Sequence, residues 1–250
     1  MLVSITAFGL IFLLQSIRPL FSTNRWAWKH GVRNMAVFLI NTLVMAVLVG
    51  GLRAWVLQTS HGNPYSLVAL LKLSGAGALI ATLLLFDLWM YWWHRLLHRV
   101  PLLWRFHRMH HSDLAMDVTT TYRFHIGELL ISACLRCGVF YIIGMNLTIL
   151  LCYELIMTPV IAFHHSNFYL PTRLDRMYRC VFTSPWMHWL HHSDYQPETD
   201  SNFGTVLSCW DRLFGTYCMT DAPQQIRYGL KEFRDPKWQT LGGLIKTPLA

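Results

Sequence analysis

Charge is what this sequence has least of. Only 14% of its 250 residues are Asp, Glu, Lys or Arg, against about 25% in an ordinary soluble domain. With 54% hydrophobic residues and a mean hydropathy of +0.33, the chain reads as one integral-membrane domain rather than a soluble one. Acidic residues number 13 against 21 Lys and Arg. The basic residues lie between or beside apolar runs instead of forming one basic face, so nucleic acid is not an expected partner. Paired cysteine spacing is missing as well, which excludes a secreted disulfide framework. Cys134 and Cys137 do form C-x-x-C, but within an apolar stretch, where they read as packing residues. Two metal motifs are also absent. No E-x-x-H occurs, which excludes the carboxylate-rich di-iron bundles. No H-E-x-x-H occurs either, since Arg95 follows His94 where a zinc protease needs glutamate.

Histidine, in contrast, is abundant and patterned. Thirteen are present, and eight fall into three boxes: His94 and His98; His107, His110 and His111; His188, His191 and His192. Residues three or four apart share a helix face, so each box is expected to aim its imidazoles at one spot. Imidazole suits zinc, copper, iron and nickel. Eight or more imidazoles exceed one four-coordinate ion, which makes two metals the economical expectation.

Hydropathy organises the rest. Apolar segments cover Leu2 to Ile17, about Asn34 to Leu57, and about Ser66 through Trp93 into the first box with no helix breaker near its end. The first is short for a span and lacks a signal peptide's basic start and cleavage site, so a retained helix is expected. A stretch from about 129 to 163 fits a hairpin turning near Gly144 to Asn146, with Arg136 interrupting its first half. Arg18, Arg25, Lys29 and Arg33 crowd one loop, whereas Gln58 to Tyr65 carries no charge. The positive-inside rule then places the basic loop, and all three boxes, on the cytoplasmic face. Arg95, Arg99, Arg105 and Arg108 at that boundary suit an anionic membrane surface. Trp26, Trp28, Trp55, Trp92, Trp93 and Trp104 fall near segment ends, as interfacial belts require.

At this point the residues resemble a family. Asp87, Tyr91, Trp92, His94, Arg95 and His98, followed by L-W-R-F-H-R-M-H-H-S, are similar to the fatty acid hydroxylase and sterol desaturase superfamily. So are R-F-H-I-G-E (Arg123 to Glu128), H-H-S-N (His164 to Asn167), T-S-P-W-M-H-W-L-H-H-S (Thr183 to Ser193) and N-F-G-T-V-L-S-C-W-D-R-L-F-G-T-Y (Asn202 to Tyr217). The resemblance covers about Leu85 to Tyr217. It implies an all-α membrane fold with about four transmembrane helices and a cytoplasmic histidine-rich cap. It also implies a non-haem di-iron oxygenase that spends dioxygen and two electrons on a lipid C–H bond. Carried over position by position, the ligands are His94, His98, His107, His110, His111, His188, His191 and His192, with His165 as a further ligand. His164 and His125 are weaker candidates, because the family often has a non-ligating residue at the first and Arg123 and Glu128 flank the second.

Asp87 shares a helical stripe with Tyr91, His94 and His98, which makes it the expected orienter of a ligating imidazole. His30 and His61 read as bystanders. The expected organisation is 1–84 for the N-terminal membrane helices, 85–217 for the catalytic region with its hairpin, and 218–250 for a cytoplasmic tail. The expected activity is hydroxylation of a fatty acyl, sterol or related lipid in a bacterial inner membrane or an endoplasmic-reticulum-type membrane. Two irons serve as cofactor, zinc being able to replace them in purified protein, and dioxygen is co-substrate. No electron-transfer segment is fused, so a separate cytochrome b5-like or ferredoxin-like donor is expected. Desaturation at the same site is the alternative. A zinc-dependent membrane hydrolase is the rival from another class, and a haem protein or metal transporter would not gather so many imidazoles at one face.

Overall fold

A computed structural model describes residues 2–21 and 27–250. Arg25 of the basic loop and Trp26 of the interfacial set lie outside the described residues. Of the described residues 71% are helical, and none lies in a strand. Its helices are α1 (Leu2–Ile17), α2 (Ala27–Ser60), α3 (Leu67–Leu70), α4 (Gly75–Arg99), α5 (Pro101–His111), α6 (Ile126–Ile143) and α7 (Leu147–His165). Shorter ones follow: α8 (Thr172–Tyr178), α9 (Pro185–His191), α10 (Gln196–Thr199), α11 (Cys209–Leu213) and α12 (Leu241–Lys246).

Four of these, α2, α4, α6 and α7, are long and apolar enough to cross a membrane. Only 17 to 33% of each apolar window is buried within the protein, so most of that surface is left for lipid. At 34 residues, α2 is about 51 Å long at 1.5 Å per residue, well beyond a hydrocarbon core of about 30 Å. Its first turns therefore stand clear of the apolar layer and pack into the histidine-bearing cap.

The third apolar segment opens with the single turn α3, capped by Ser66, and then a loop in which Lys72 (φ 52°) and Gly75 (φ 54°) are left-handed, before α4 runs through Trp93 into the first box without a breaker, as expected. These two left-handed positions, three residues apart, terminate one helix and re-aim the next. α4 then runs to Val100, where Pro101 at the first turn of α5 breaks the hydrogen-bond ladder and folds α5 back beside it. The α6–α7 hairpin turns at Gly144 (φ 83°), and the Asn146 carboxamide accepts the Ile149 N–H at 2.9 Å to open α7. A Cβ at Gly144 would lie 2.9 Å from the Ser66 hydroxyl, so the turn and the start of α3 pack together.

The far ends of the spans are level. Ser60 donates to the Met145 carbonyl, and the Asn146 carboxamide bonds His61 at 3.1 Å. Between the spans, Phe86, Phe140 and Tyr153 form an aromatic core with centroids 4.8 to 5.3 Å apart. At the histidine end the Gln15 carboxamide oxygen of α1 accepts two backbone N–H groups, from Val118 and Asn167, each at 3.1 Å. This straps α1 across the end of α7. All six cysteines are free.

Candidate metal centre

The stripe on α4 builds the first wall. Asp87 touches no histidine, contrary to the expected orienting role. Its carboxylate accepts the Tyr153 hydroxyl (2.7 Å), the Leu207 N–H (3.1 Å) and the Trp210 indole N–H (2.8 Å). With all three bonds made, Asp87 is the post that fixes the 202–217 element to α4. One turn on, the Tyr91 and Thr216 hydroxyls lie 2.9 Å apart and repeat the attachment. Asp211 closes the same element on itself by accepting the N–H groups of Phe203 (2.7 Å) and Gly204 (2.9 Å). The Phe203 ring is thereby held against His94, His98 and His191, at centroid distances of 5.2 to 5.7 Å.

The second box is fixed by a buried polar network. Asp113 accepts from His30 (2.7 Å) and Thr120 (2.9 Å). Arg123, fully buried, donates to the Met109 carbonyl, the Ser112 hydroxyl and the Gln239 side chain. His30 is thus no loop bystander but an α2 residue that ties α2 to the end of α5. His107 is aimed by Glu128, whose carboxylate lies 3.1 Å from its Nδ1.

The third box sits on α9, opened by Ser184 and Pro185. The Nδ1–H of His191 reaches the Ser201 carbonyl at 2.7 Å, that of His94 the Phe203 carbonyl at 3.0 Å, and that of His165 the Ile161 carbonyl at 2.8 Å. These backbone acceptors do the orienting that had been assigned to Asp87. They carry no side-chain signature, which is why the sequence did not reveal them. Asp200 adds a carboxylate oxygen 3.4 Å from His98 Nδ1.

Nine imidazoles converge, in two groups. His94, His98, His107, His111 and His191 form one, and His110, His165, His188 and His192 the other; within each, one nitrogen per residue lies within 4.8 Å of the rest. The boxes are therefore not the units of assembly. At about 100° per residue, positions four apart diverge by only about 40° and three apart by about 60° in the other sense. The i,i+4 pairs 94/98, 107/111 and 188/192 stay together, while His110 and His191 cross to the opposite group.

His164 is buried, its ring 4.0 Å from that of His188, but it lies outside both groups. His125 is farther off, at the start of α6. Its Nδ1 accepts the Gly127 N–H at 3.0 Å and its Nε2–H meets the Ile245 carbonyl at 3.1 Å. Both ring nitrogens are satisfied, which leaves no lone pair for a metal.

The donor set fits bound cations. An imidazole that gives its Nδ1–H to a carbonyl or carboxylate presents a bare lone pair at Nε2. In the first group the Nε2 atoms of His98, His107, His111 and His191 are buried with no hydrogen-bond partner, a loss of roughly 1–3 kcal/mol each unless something occupies the space between them. In the second, Nε2 atoms crowd to 2.9 Å (His188 and His165), 3.1 Å (His165 and His110) and 3.2 Å (His192 and His188). His165 gives its Nδ1–H to the Ile161 carbonyl, so its inward Nε2 can only accept, from a neighbouring imidazole N–H or from a bound cation. Burial, reinforced by neighbouring imidazoles, pushes His110, His111, His188 and His192 well below the ordinary histidine range and His191 down to about 3. All five are neutral at physiological pH, the protonation state a metal ligand requires.

A cavity of about 200 Å³ adjoins both groups, and its lining includes Met90, Leu97, Met157 and Ile161 together with His94, His110 and His188. A wall that combines apolar side chains with these imidazoles suits an alkyl chain laid against the centre.

Part of this chain is similar in sequence to known proteins. The region is 32% identical over 142 residues to an ornithine lipid hydroxylase, OlsE, of Rhizobium tropici, covering 56% of this chain and 42% of that protein. It is 30% identical over 153 residues to human cholesterol 25-hydroxylase, covering 56% and 51%. Against the alkylglycerol monooxygenase of Danio rerio it is 29% identical over 154 residues, covering 58% and 31%. The chain thus spans about half or less of the length of these relatives. No solved structure matches. The fatty acid hydroxylase family model matches residues 79–216, more than half the chain and every residue of both histidine groups, and the chain belongs to that family.

Proposed function

We propose that this chain is a membrane-embedded lipid C–H oxidase that holds two irons, one in each histidine group. The single observation that carries the reading is the division of nine imidazoles, eight of them buried, into two neighbouring groups beside a largely apolar cavity. His94, His98, His107, His111 and His191 hold one ion, and His110, His165, His188 and His192 the other. His164 lines the cavity without ligating. When bound, iron supplies the activation of dioxygen and the cleavage of an unactivated C–H bond, chemistry that side chains alone do not perform.

The chain's own residues do the rest. Glu128 and the carbonyls of Ser201, Phe203 and Ile161 hold their imidazoles in one tautomer and one rotation. Phe203 covers the first group from the cap side, and Trp93 and Met90 bound the cavity from α4. Together they keep bulk water from the position an alkyl chain would take. Hydroxylation is preferred to desaturation, and the two share this site.

The reading extends to its setting. The catalytic region is 85–217, carried by N-terminal membrane helices in 1–84 and followed by a tail in 218–250. The basic loop next to α2 favours a cytoplasmic centre in a bacterial inner membrane or an endoplasmic-reticulum-type membrane. A separate cytochrome b5-like or ferredoxin-like protein delivers the two electrons. Metal analysis of freshly purified protein is expected to give two irons per chain, with lipid product that requires dioxygen and a reductant. Full turnover under strict anoxia would sink this reading and favour the zinc hydrolase instead.

A further inference from the structure

A second cavity, of about 430 Å³, lies deeper among the spans, between α2, α4, α6 and α7. It shares Phe124, Leu129, Arg136 and Met157 with the cavity beside the histidines, so the two are neighbouring chambers of one space. Most of its wall is apolar, but Arg53, Arg136 and Glu154 all line it. Each of the three stands seven residues from the far end of its helix: Arg53 before Ser60, Arg136 before Ile143, Glu154 after Leu147. Those ends are level, so the three charges form one tier about 10 Å inside the far face.

Among the described residues neither guanidinium takes part in an ion pair. Among the described residues the only hydrogen bond from Arg136 is a long one, 3.4 Å, to the Ser132 carbonyl of its own helix. Ionisable groups within a span are expensive, and when unpaired they mark a ligand or ion site. Two guanidiniums against one carboxylate leave the tier net positive, which selects an anion, and guanidinium is the side chain best matched to carboxylate or phosphate.

We infer that this tier binds the oxyanion end of an amphiphile, whose alkyl chain then runs through the shared wall to the histidines. The inference rests on the lipid-oxidase reading and names its substrate class: an anionic single-chain or multi-chain lipid whose carboxylate or phosphate lies at the end of the bundle opposite the metal centre. Arg136 stands eight residues from Glu128 on α6, and Glu154 eleven from His165 on α7, about 12 and 16 Å along the helix axes. The oxidised carbon is therefore set by its distance from the polar group and not by the length of chain beyond it.

The test is direct binding to the full chain in neutral detergent, without oxygen or reductant, using three probes of equal chain length: hexadecanoic acid, hexadecyl phosphate and hexadecanol. The acid or the phosphate is expected to bind about tenfold tighter than the alcohol, the scale of one charge-assisted contact. Whichever of the two binds better identifies the headgroup class. Arg136→Gln should abolish the preference while leaving hexadecanol affinity and bound metal unchanged. Arg53 is exposed as well as cavity-lining, so Arg53→Gln provides the same readout should Arg136→Gln fail to fold. Equal binding of acid, phosphate and alcohol, or an undiminished preference in a folded variant, overturns the inference. Because no turnover is involved, either result leaves the oxidase reading to its own test.

Discussion

His110 and His111 are consecutive in sequence, yet their imidazoles stand nearly perpendicular, 84° apart at 5.5 Å, and belong to different nitrogen groups. The expected consequence is separable metal loss. His110→Ala should empty the second site and His111→Ala the first, each leaving about one metal per chain and turnover reduced by at least about a hundredfold, as loss of a ligand to a catalytic ion demands. His61→Ala, at the far face, should leave both metals and activity in place. Metal stoichiometry by elemental analysis checks this, and loss of both ions from either single variant would contradict two centres.

Glu128 supports His107 without belonging to either group. Glu128→Gln keeps the shape but gives up the negative charge behind the imidazole, so affinity at the first site should fall by about 10–100-fold. Glu128→Asp, one carbon shorter, should fall as far. Chelator competition reads the change, and unaltered affinity in both variants would show that His107 is positioned by packing alone.

Asp87 shows where reading from sequence ends. Its helical register with Tyr91, His94 and His98 was legible, as were all three boxes, because residues three and four apart on a helix need no tertiary information to be placed on one face. Its partners were not legible. They come from α7 and from the 202–217 element, and their meeting depends on how distant segments pack. The same limit hid the division of the second and third boxes, which depends on α5 and α9 facing each other, and the carbonyl acceptors, which any residue type offers. Asp87→Asn should therefore lower thermal stability by roughly 1–3 kcal/mol, the scale of a buried hydrogen-bonded acceptor lost, while metal affinity in the folded fraction stays within about twofold. A selective loss of metal with unchanged stability would return Asp87 to the orienting role.

Acid should destabilise the metal-free protein over a defined window. The folded pKa of His191 is depressed to about 3 by burial, and the unfolded value is near 6.5. Between these limits the unfolded chain binds the extra proton, so stability is fully present above about 6.5 and falls as the pH drops toward 3. His191 alone contributes at most about 1.4 kcal/mol per pH unit, and the buried His110, His111, His188 and His192 shift in the same direction. Thermal unfolding of chelator-treated protein from pH 8 to 5 is the measurement. A flat profile would mean that these imidazoles are already protonated or already solvated in the folded state.

Gly243 gives the sharpest structural prediction. A Cβ there would fall 2.1 Å from the Lys237 carbonyl and 2.7 Å from the Trp238 Cα, both backbone, whereas one at the adjacent Gly242 would meet nothing within 4 Å. The position matters because α12 puts Leu244 against Met109 of the second box helix and Val37 of α2, and the Arg108 side chain donates to the Thr247 carbonyl just beyond. Gly243→Ala cannot be absorbed by a rotamer change, so the 237–238 segment must move. The cost should reach or exceed the roughly 1–3 kcal/mol of an overpacked core. Gly242→Ala, in a helix and unobstructed, should be neutral or stabilise by up to about 1 kcal/mol. Limited proteolysis and thermal unfolding of the two variants side by side decide it: equal behaviour would mean that α12 does not press on the Arg108 and Met109 face of α5, which backs the face carrying His107, His110 and His111.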